Sequence, residues 1–212
     1  MEVNNMFTKF LNLSPEKQDR ILNAALKEFA QKGYKNASTN EIVKDAEISK
    51  GLLFHYFINK KGLFLFLYNH FMELSLAEIH AKVEWNEKDM FLRYRQIGLL
   101  KFELFQKYPE MFNFIKGVLK EDAAEVKKEI EQKNKELLDY GYNDLFGDID
   151  PTKFKEGLDL KKTVNIIFWT MEGFAYRQQD KALAVDFNQE FLDEVLAEMD
   201  AYFEILKQAF YK

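Results

Sequence analysis

The sequence predicts an all-α protein of about nine helices. Only 3 prolines and 9 glycines occur among its 212 residues, so few positions interrupt a helix. Apolar residues recur at spacings of three and four along most of the chain, which is the period of helices that bury one face. No segment alternates between apolar and polar residues for long enough to predict a strand.

The first four helices have clear start and stop signals. Ser14 precedes a proline and an acidic residue, which is a typical helix start, and Gly33 ends this helix. Ser38-Thr39-Asn40-Glu41 forms a capping box for the second helix, Ser49 caps the third, and Asn59 caps the fourth. The four helices are predicted over about residues 14–32, 39–46, 50–57 and 60–83.

The helical pattern continues beyond these four helices. The stretch GYNDLFGDIDPTKFKEGLD, residues 141–159, is the most loop-like part of the chain, and we expect it to be a solvated loop. Its Asp148 and Asp150 lack the twelve-residue pattern of a calcium loop. Five further helices are predicted over about residues 87–107, 109–119, 122–140, 160–179 and 187–211.

Charge is unevenly distributed along the chain. The formal net charge is −5, but residues 1–61 contain ten Lys and Arg against seven Asp and Glu, which leaves +3 there and −8 in the remainder. A small polyanion-binding module on an acidic body would show this asymmetry. A random scatter of surface charge explains it equally well.

Composition excludes several classes of site. The chain has no cysteine, which excludes disulfides, thiolate zinc sites and a cysteine nucleophile. It lacks a P-loop, a dinucleotide-binding glycine motif, HExxH and Gly-x-Ser-x-Gly, and its 3 histidines are scattered. We therefore expect no enzyme activity, no cofactor and no metal. No run has the length of a signal peptide or a membrane span, so we expect a cytoplasmic protein without a membrane partner.

The corner at Glu47-Ile48-Ser49 predicts a helix-turn-helix, because it joins two short helices with a three-residue turn. In DNA-binding proteins the second helix of this motif enters the major groove. A corner in an unrelated helical protein is the alternative. The residues that we expect to meet DNA on this motif are Ser49, Lys50, Gly51, His55, Tyr56 and Lys60.

Their chemistry suits that role. Ser49 lies at a helix N-terminus, which favours phosphate, and Lys50 can reach a base edge or a phosphate. Gly51 lets the backbone approach DNA closely. His55 can bond a base and Tyr56 can donate to a phosphate. Lys60 adds positive charge where the DNA backbone should pass.

The run ASTNEIVKDAEISKGLLFHYFINKKGLF, residues 37–64, closely resembles the DNA-binding signature of the TetR family of bacterial transcription regulators. The resemblance extends back through residues 17–36, and the chain length and later helices are also typical of the family. Two positions depart from the family pattern. Glu47 replaces the usual turn glycine, and Phe54 replaces a tyrosine and so lacks its hydroxyl.

The resemblance implies a helix-turn-helix domain over residues 1–60 and a ligand-binding and dimerisation domain over residues 61–212, with the fourth helix linking them. It implies a repressor that binds a double-stranded, palindromic operator as a homodimer and leaves it when a small-molecule effector binds. It also adds Thr39 and Asn40 to the DNA-binding residues. A helical protein-interaction module without DNA binding is the alternative.

In this family the last two helices of each subunit pair with those of the partner. Both helices here have apolar positions at spacings of three and four, wider than one core face needs; an internal core is the alternative. The predicted interface residues are Val164, Ile167, Phe168, Met171, Leu192, Val195, Leu196, Met199 and Phe203.

Aromatic residues are abundant, with 21 Phe, 10 Tyr and 2 Trp, which predicts either a phenylalanine-rich core or an aromatic cavity. Glu103 and Glu172 lie in or beside apolar stripes. A cationic or aromatic effector would pair with such a carboxylate. Alternatively each pairs with Arg93, Arg95 or Arg177, or is solvated. The predicted effector site comprises Phe102, Glu103, Phe105, Phe112, Phe146, Trp169, Glu172, Phe174 and Tyr176.

Overall fold

A computed structural model describes residues 7–182 and 188–212. Over these residues the chain is all-α, as predicted, with ten α-helices, one 3₁₀ turn at Pro151–Lys153 and no strand. The helices are α1 Thr8–Leu11, α2 Pro15–Asn36, α3 Thr39–Asp45, α4 Lys50–Phe57, α5 Lys60–Lys82, α6 Met90–Lys107, α7 Pro109–Leu119, α8 Ala124–Phe146, α9 Leu160–Ala182 and α10 Gln189–Phe210.

The structure differs from the predicted boundaries in a few places. It adds the one-turn helix α1, and α8 continues past its predicted end at residue 140 to Phe146. Phe187, the predicted start of the last helix, lies outside the described residues. Gly33 does interrupt the helical backbone, with φ 67° and ψ 177°, although α2 resumes to Asn36. No helix among the described residues is long and apolar enough to cross a membrane.

The chain forms two compact units. The first comprises Met1–Ala77 and Lys107–Lys135, and the second comprises Glu78–Gln106 and Glu136–Lys212. The first unit therefore contains most of α5, all of α7 and half of α8 in addition to the helix-turn-helix. The boundary expected at residue 60 separates a DNA-binding from a ligand-binding role. The two compact units are defined by packing and do not test it, so it stays a prediction.

The core of the first unit is built on α2. Ile21, Leu22, Ala25, Leu26 and Phe29 form its buried stripe at helical spacing. The ring of Phe29 lies 5.0 Å from Phe64 on α5 and 6.4 Å from Phe114 on α7, and those two rings are 5.5 Å apart. This triangle of rings holds three helices together.

The helix-turn-helix folds through serine caps and a left-handed turn residue. The Oγ of Ser38 accepts a bond from the N–H of Glu41 at 3.5 Å, and that of Ser49 accepts from Leu52 at 3.2 Å. Glu47 has φ 52°, the backbone conformation that a turn glycine adopts without strain and that costs a glutamate about 1 kcal/mol. Its carboxylate pairs with Arg20 at 3.2 Å, so the acid is directed to α2.

Cap predictions at the other helices had mixed outcomes. The Oδ1 of Asn59 accepts a bond from the N–H of Gly62 at 2.8 Å, which confirms the predicted cap of α5. Ser14 occupies the N-cap position of α2 with a proline after it, but its side chain makes no cap bond. The helix start was predicted correctly because proline favours the first helical position whether or not the cap bond forms.

The second unit is organised around Arg93, which is fully buried. Its guanidinium pairs with Asp148 at 2.7 Å and donates to the carbonyls of Asp144 at 3.2 Å and Glu87 at 3.1 Å. The guanidinium also lies 5.7 Å from the ring of Trp85. A buried cation needs such a set of acceptors, because an unpaired one is strongly unfavourable.

Most residues of the loop at 147–159 are exposed, as expected, but the loop is also anchored to the end of the chain. Phe154 is buried and pairs by an isolated antiparallel bridge with Tyr211. The N–H of Lys155 donates to Phe210 at 2.9 Å, and that of Lys212 donates to Lys153 at 2.9 Å. Sequence reasoning missed this because the partners are about 55 residues away in the chain.

Candidate functional site

The outward face of α4 is the candidate nucleic-acid interface. Ser49, Lys50, Gly51 and His55 are exposed along this eight-residue helix, while Leu53 and Phe57 anchor its other face in the core. Of the predicted DNA-binding residues, these four lie together on one surface.

Gly51 is not required by the fold. A Cβ at this position would meet only the Oγ of Ser49, at 4.0 Å, and its φ is not in the left-handed range. The missing side chain therefore leaves open space in front of the helix, which suits close approach by another molecule.

Lys50 is available for contacts outside the chain. Within the described residues it forms no ion pair, and its ammonium lies 5.9 Å from the ring centroid of Phe54, one helical turn later. Several other basic residues of the first unit are paired with acids. These pairs are Lys27–Asp45 at 3.1 Å, Lys35–Asp122 at 2.7 Å and Lys61–Glu129 at 2.5 Å.

Tyr56 and Lys60 are placed differently from the other four. Tyr56 is buried, with its ring 6.2 Å from that of Phe10. The ammonium of Lys60 donates to the carbonyls of Lys35 at 3.1 Å and Ala37 at 3.3 Å, and lies 4.8 Å from the ring of Tyr34. Lys60 thus satisfies carbonyls at the end of α2, and a DNA contact by either residue stays a prediction.

Thr39 and Asn40 begin α3, where Thr39 is half-buried and Asn40 is exposed.

Glu121 holds the adjacent end of α2, because its Oε2 accepts a hydrogen bond from the N–H of Tyr34 at 2.9 Å. Burial and the nearby carboxylate of Glu125 raise the pKa of Tyr34 to about 12, so its hydroxyl stays protonated. Neither Glu121 nor its partner was identified from sequence.

The predicted effector residues do not form one group. Phe102, Phe146 and Phe174 are buried in the second unit and Phe105 is half-buried there, whereas Phe112 belongs to the first unit. Glu103 is exposed, and Trp169 and Tyr176 are 65% and 66% exposed. A role of any of them in effector binding stays a prediction.

Glu172 has a basic neighbour other than the predicted arginines. Arg93 pairs with Asp148 and Arg95 with Asp200, whereas Lys101 is the cation that acts on Glu172. Burial raises the pKa of Glu172, and the charge of Lys101 only partly offsets this. The surrounding protein lowers the pKa of Lys101, although its side chain still reaches solvent. The signal for Lys101 was a lysine within an apolar stripe of α6.

The predicted interface residues lie mostly inside the second unit's own core. Val164, Ile167, Met171, Leu192, Met199 and Phe203 are buried, and Phe168, Val195 and Leu196 are half-buried and pack against them.

A different apolar face of these helices is exposed. On α9 it comprises Ile166, Trp169, Gly173 and Tyr176, at successive spacings of three, four and three, and on α10 it includes Ile205, which is 65% exposed. Its helical spacing is the sequence signal that could have identified it. We call these five residues the α9–α10 apolar face.

The N-terminal part of the chain is similar in sequence to known transcriptional regulators. Residues 21–71 match the family model "Bacterial regulatory proteins, tetR family". The chain is 33% identical over 123 residues to the uncharacterised HTH-type transcriptional regulator YuxN of Bacillus subtilis, a match that covers 58% of this chain and 40% of that protein. It is 26% identical over 161 residues to the fatty acid metabolism regulator protein of B. subtilis, covering 72% and 78%.

Solved structures share the fold. The transcriptional regulator FadR of B. subtilis, in complex with stearoyl-CoA, superposes with a TM-score of 0.63 at 19% identity. The match covers 88% of this chain and 96% of FadR.

The position of Lys60 generates a prediction about stability. Lys60→Met should lower the free energy of unfolding by about 1–2 kcal/mol without DNA present, because two carbonyls lose their charged donor. Lys61→Met is the matched control. It should change stability by less than about 1 kcal/mol, since it removes an exposed ion pair. Urea denaturation checks both. Equal stability of Lys60→Met and the wild type would contradict the capping role.

Proposed function

We propose that the chain is a TetR-family helix-turn-helix regulator, which binds a specific DNA operator and represses transcription there. The match of residues 21–71 to that family's model and the similarity to other HTH-type regulators support this proposal. The observation that carries this proposal is the exposed face of α4, on which Ser49, Lys50, Gly51 and His55 lie together. The helix has eight residues, or about 12 Å at 1.5 Å per residue, which matches the width of the major groove.

The contacts divide into base reading and phosphate binding. Lys50 and His55 project from the outward face and are suited to base edges, lysine above all to guanine. Exposed Asn40, at the start of α3, is suited to phosphate. Lys60 binds carbonyls at the end of α2, beside which α3 begins, and so helps to position α3.

The proposal that the chain binds a specific operator has a direct test. Selection from a random duplex pool should enrich a palindrome, and affinity for it should fall steeply with salt because phosphate contacts release counterions. Lys50→Ala should weaken binding to the selected site about tenfold or more and relax base preference at one position per half-site. Lys162→Ala, an exposed lysine of the second unit, is the control and should leave affinity unchanged. If no sequence enriches at low salt, the protein is an interaction module instead.

The α9–α10 apolar face supports a homodimer. A tryptophan, a tyrosine and two isoleucines are exposed on α9 and α10, and exposed large apolar side chains favour burial against a partner. Gly173 lies between Trp169 and Tyr176, and a Cβ there would meet nothing within 4 Å, so a partner helix has room to approach. A two-fold dimer would present two α4 helices about 34 Å apart, one turn of DNA.

Dimerisation is tested by a charge on this face. Trp169→Glu should raise the dimer dissociation constant at least tenfold, because it buries an unpaired carboxylate among apolar side chains. Tyr140→Glu, at another exposed aromatic residue of the second unit, is the control and should leave the constant unchanged. Sedimentation velocity over a concentration series measures both variants. A Trp169→Glu protein that dimerises as tightly as the wild type would assign the interface to another surface.

An effector that releases the operator is proposed to bind in the second unit, near Glu172 and Lys101. Glu172 is half-buried and feels the positive charge of Lys101, whose side chain reaches solvent, so a charged ligand group would find a counter-charge there. Glu172 suits the cationic or aromatic effector expected from the sequence. Lys101 suits an anionic one, and stearoyl-CoA, the ligand in the FadR structure, is anionic with a long apolar chain.

Thermal-shift measurements with a cationic aromatic compound and with stearoyl-CoA distinguish these classes. Stabilisation by a cation should be lost in Glu172→Gln and kept in Lys101→Met, and stabilisation by the acyl-CoA should show the reverse pattern. Either variant thus serves as the control for the other. If ligands stabilise the protein and neither variant alters the shift, the effector binds elsewhere.

A further inference from the structure

The ring of Phe54 is on the open face of α4 rather than in the core. Phe54 is half-exposed, whereas its neighbours Leu53 and Phe57 are fully buried. Its ring lies near the ammonium of Lys50 and, in the described part of the chain, contacts no aromatic ring. By contrast, Phe57 lies within 6.3 Å of four rings. Phe54 therefore contributes little to the packing of the core.

The surroundings of Phe54 are those of a groove-facing residue. It is one helical turn from Lys50, so the two side chains share a face of the helix. Exposed His55, the other proposed base reader, is the next residue on this helix. The open space at Gly51 lies on the same side, three residues earlier. An apolar ring amid polar groups cannot exchange hydrogen bonds with DNA. Of the groups that base pairs present in the major groove, only the C5-methyl of thymine is apolar.

Building on the proposed function, we infer that Phe54 is a specificity-determining residue that packs on a thymine methyl group in each operator half-site. The cation–π contact with Lys50 supports this role in two ways. It keeps the lysine stem along the helix and restrains its ammonium beside the ring before DNA arrives. The half-site would accordingly place a thymine next to the base that Lys50 contacts.

Deoxyuridine substitution isolates the methyl group. It removes the C5-methyl of one thymine and leaves the base pair and its hydrogen-bonding groups intact. Each thymine of the selected operator is replaced in turn, symmetrically in both half-sites, and the affinity of the full-length protein is measured. One position should weaken wild-type binding roughly fourfold per half-site, the worth of one buried methyl group.

Variants assign the effect to Phe54. Phe54→Tyr keeps the ring and should keep the loss at that position. Phe54→Ala and Phe54→Gln should bind the thymine and deoxyuridine operators equally, with an unchanged slope of affinity against salt, since phosphate contacts remain. Two truncations of different chemistry guard against one that fails to fold, which thermal denaturation reveals. A purely structural role would lower affinity for both operators and leave their ratio as in the wild type.

The inference is overturned if no deoxyuridine position changes wild-type affinity more than about twofold, well short of one buried methyl group. It is also overturned if the sensitive position remains sensitive in Phe54→Ala and Phe54→Gln. Both outcomes still require an enriched operator, so they leave DNA binding intact. Failure to enrich any operator would overturn the proposed function itself, and this inference with it.

Discussion

The contact among the rings of Phe29, Phe64 and Phe114 is the constraint on which the helix-turn-helix depends. It fixes α2 against α5 and α7 within the first unit. The helices α3 and α4 have only 7 and 8 residues, too few to be stable alone. Their orientation therefore depends on packing against the core that α2 and α5 form, through the buried side chains of Ile42, Leu53 and Phe57.

Many charged side chains of the first unit form ion pairs within the unit, which its net charge does not reveal. Arg20, Lys27, Lys35 and Lys61 pair with acids, and Lys60 binds carbonyls. Each exposed pair adds little to stability. Together they reduce the positive charge that faces outward, so the basic residues without an acidic partner, Lys50 among them, carry a larger share of any attraction to DNA. Glu47 fits this picture, because its pairing with Arg20 turns an acid in the corner towards α2.

The second unit rests on a different principle. A fully buried arginine gathers carbonyls and Asp148 from separate segments, and the loop at residues 147–159 reaches the end of α10 through Phe154 and Lys155. Such a network is costly to break, because each freed group would be left buried without a partner. In contrast, Glu172 is a half-buried carboxylate whose charge burial opposes, a cost that a protein retains most readily where the charge serves binding.

The sequence by itself determined the helical class, most helix boundaries, the corner at residues 47–49 and the position of the reading helix. These depend on local signals: serine and asparagine caps, a proline at the first helical position, and apolar periodicity. It also indicated the family, through a contiguous run whose side-chain types all serve one motif. Local spacing was enough to put Ser49, Lys50, Gly51 and His55 on one face, because a helix fixes which neighbours share a side.

Only the tertiary structure decided which apolar face of a helix is covered and what each charged group meets. The stripe of α9 that contains Ile167 and Met171 was recognised from the sequence, and packing buried it. The exposed stripe that contains Trp169 and Tyr176 was not recognised. Tyr56 and Lys60 lie next to the reading residues in sequence, yet one faces the core and the other the end of α2. The sequence was equally silent on the cation whose charge acts on Glu172, which is Lys101 and not an arginine. The reason is physical: burial and charge pairing depend on contacts between residues distant in the chain, and one-dimensional spacing carries no record of them.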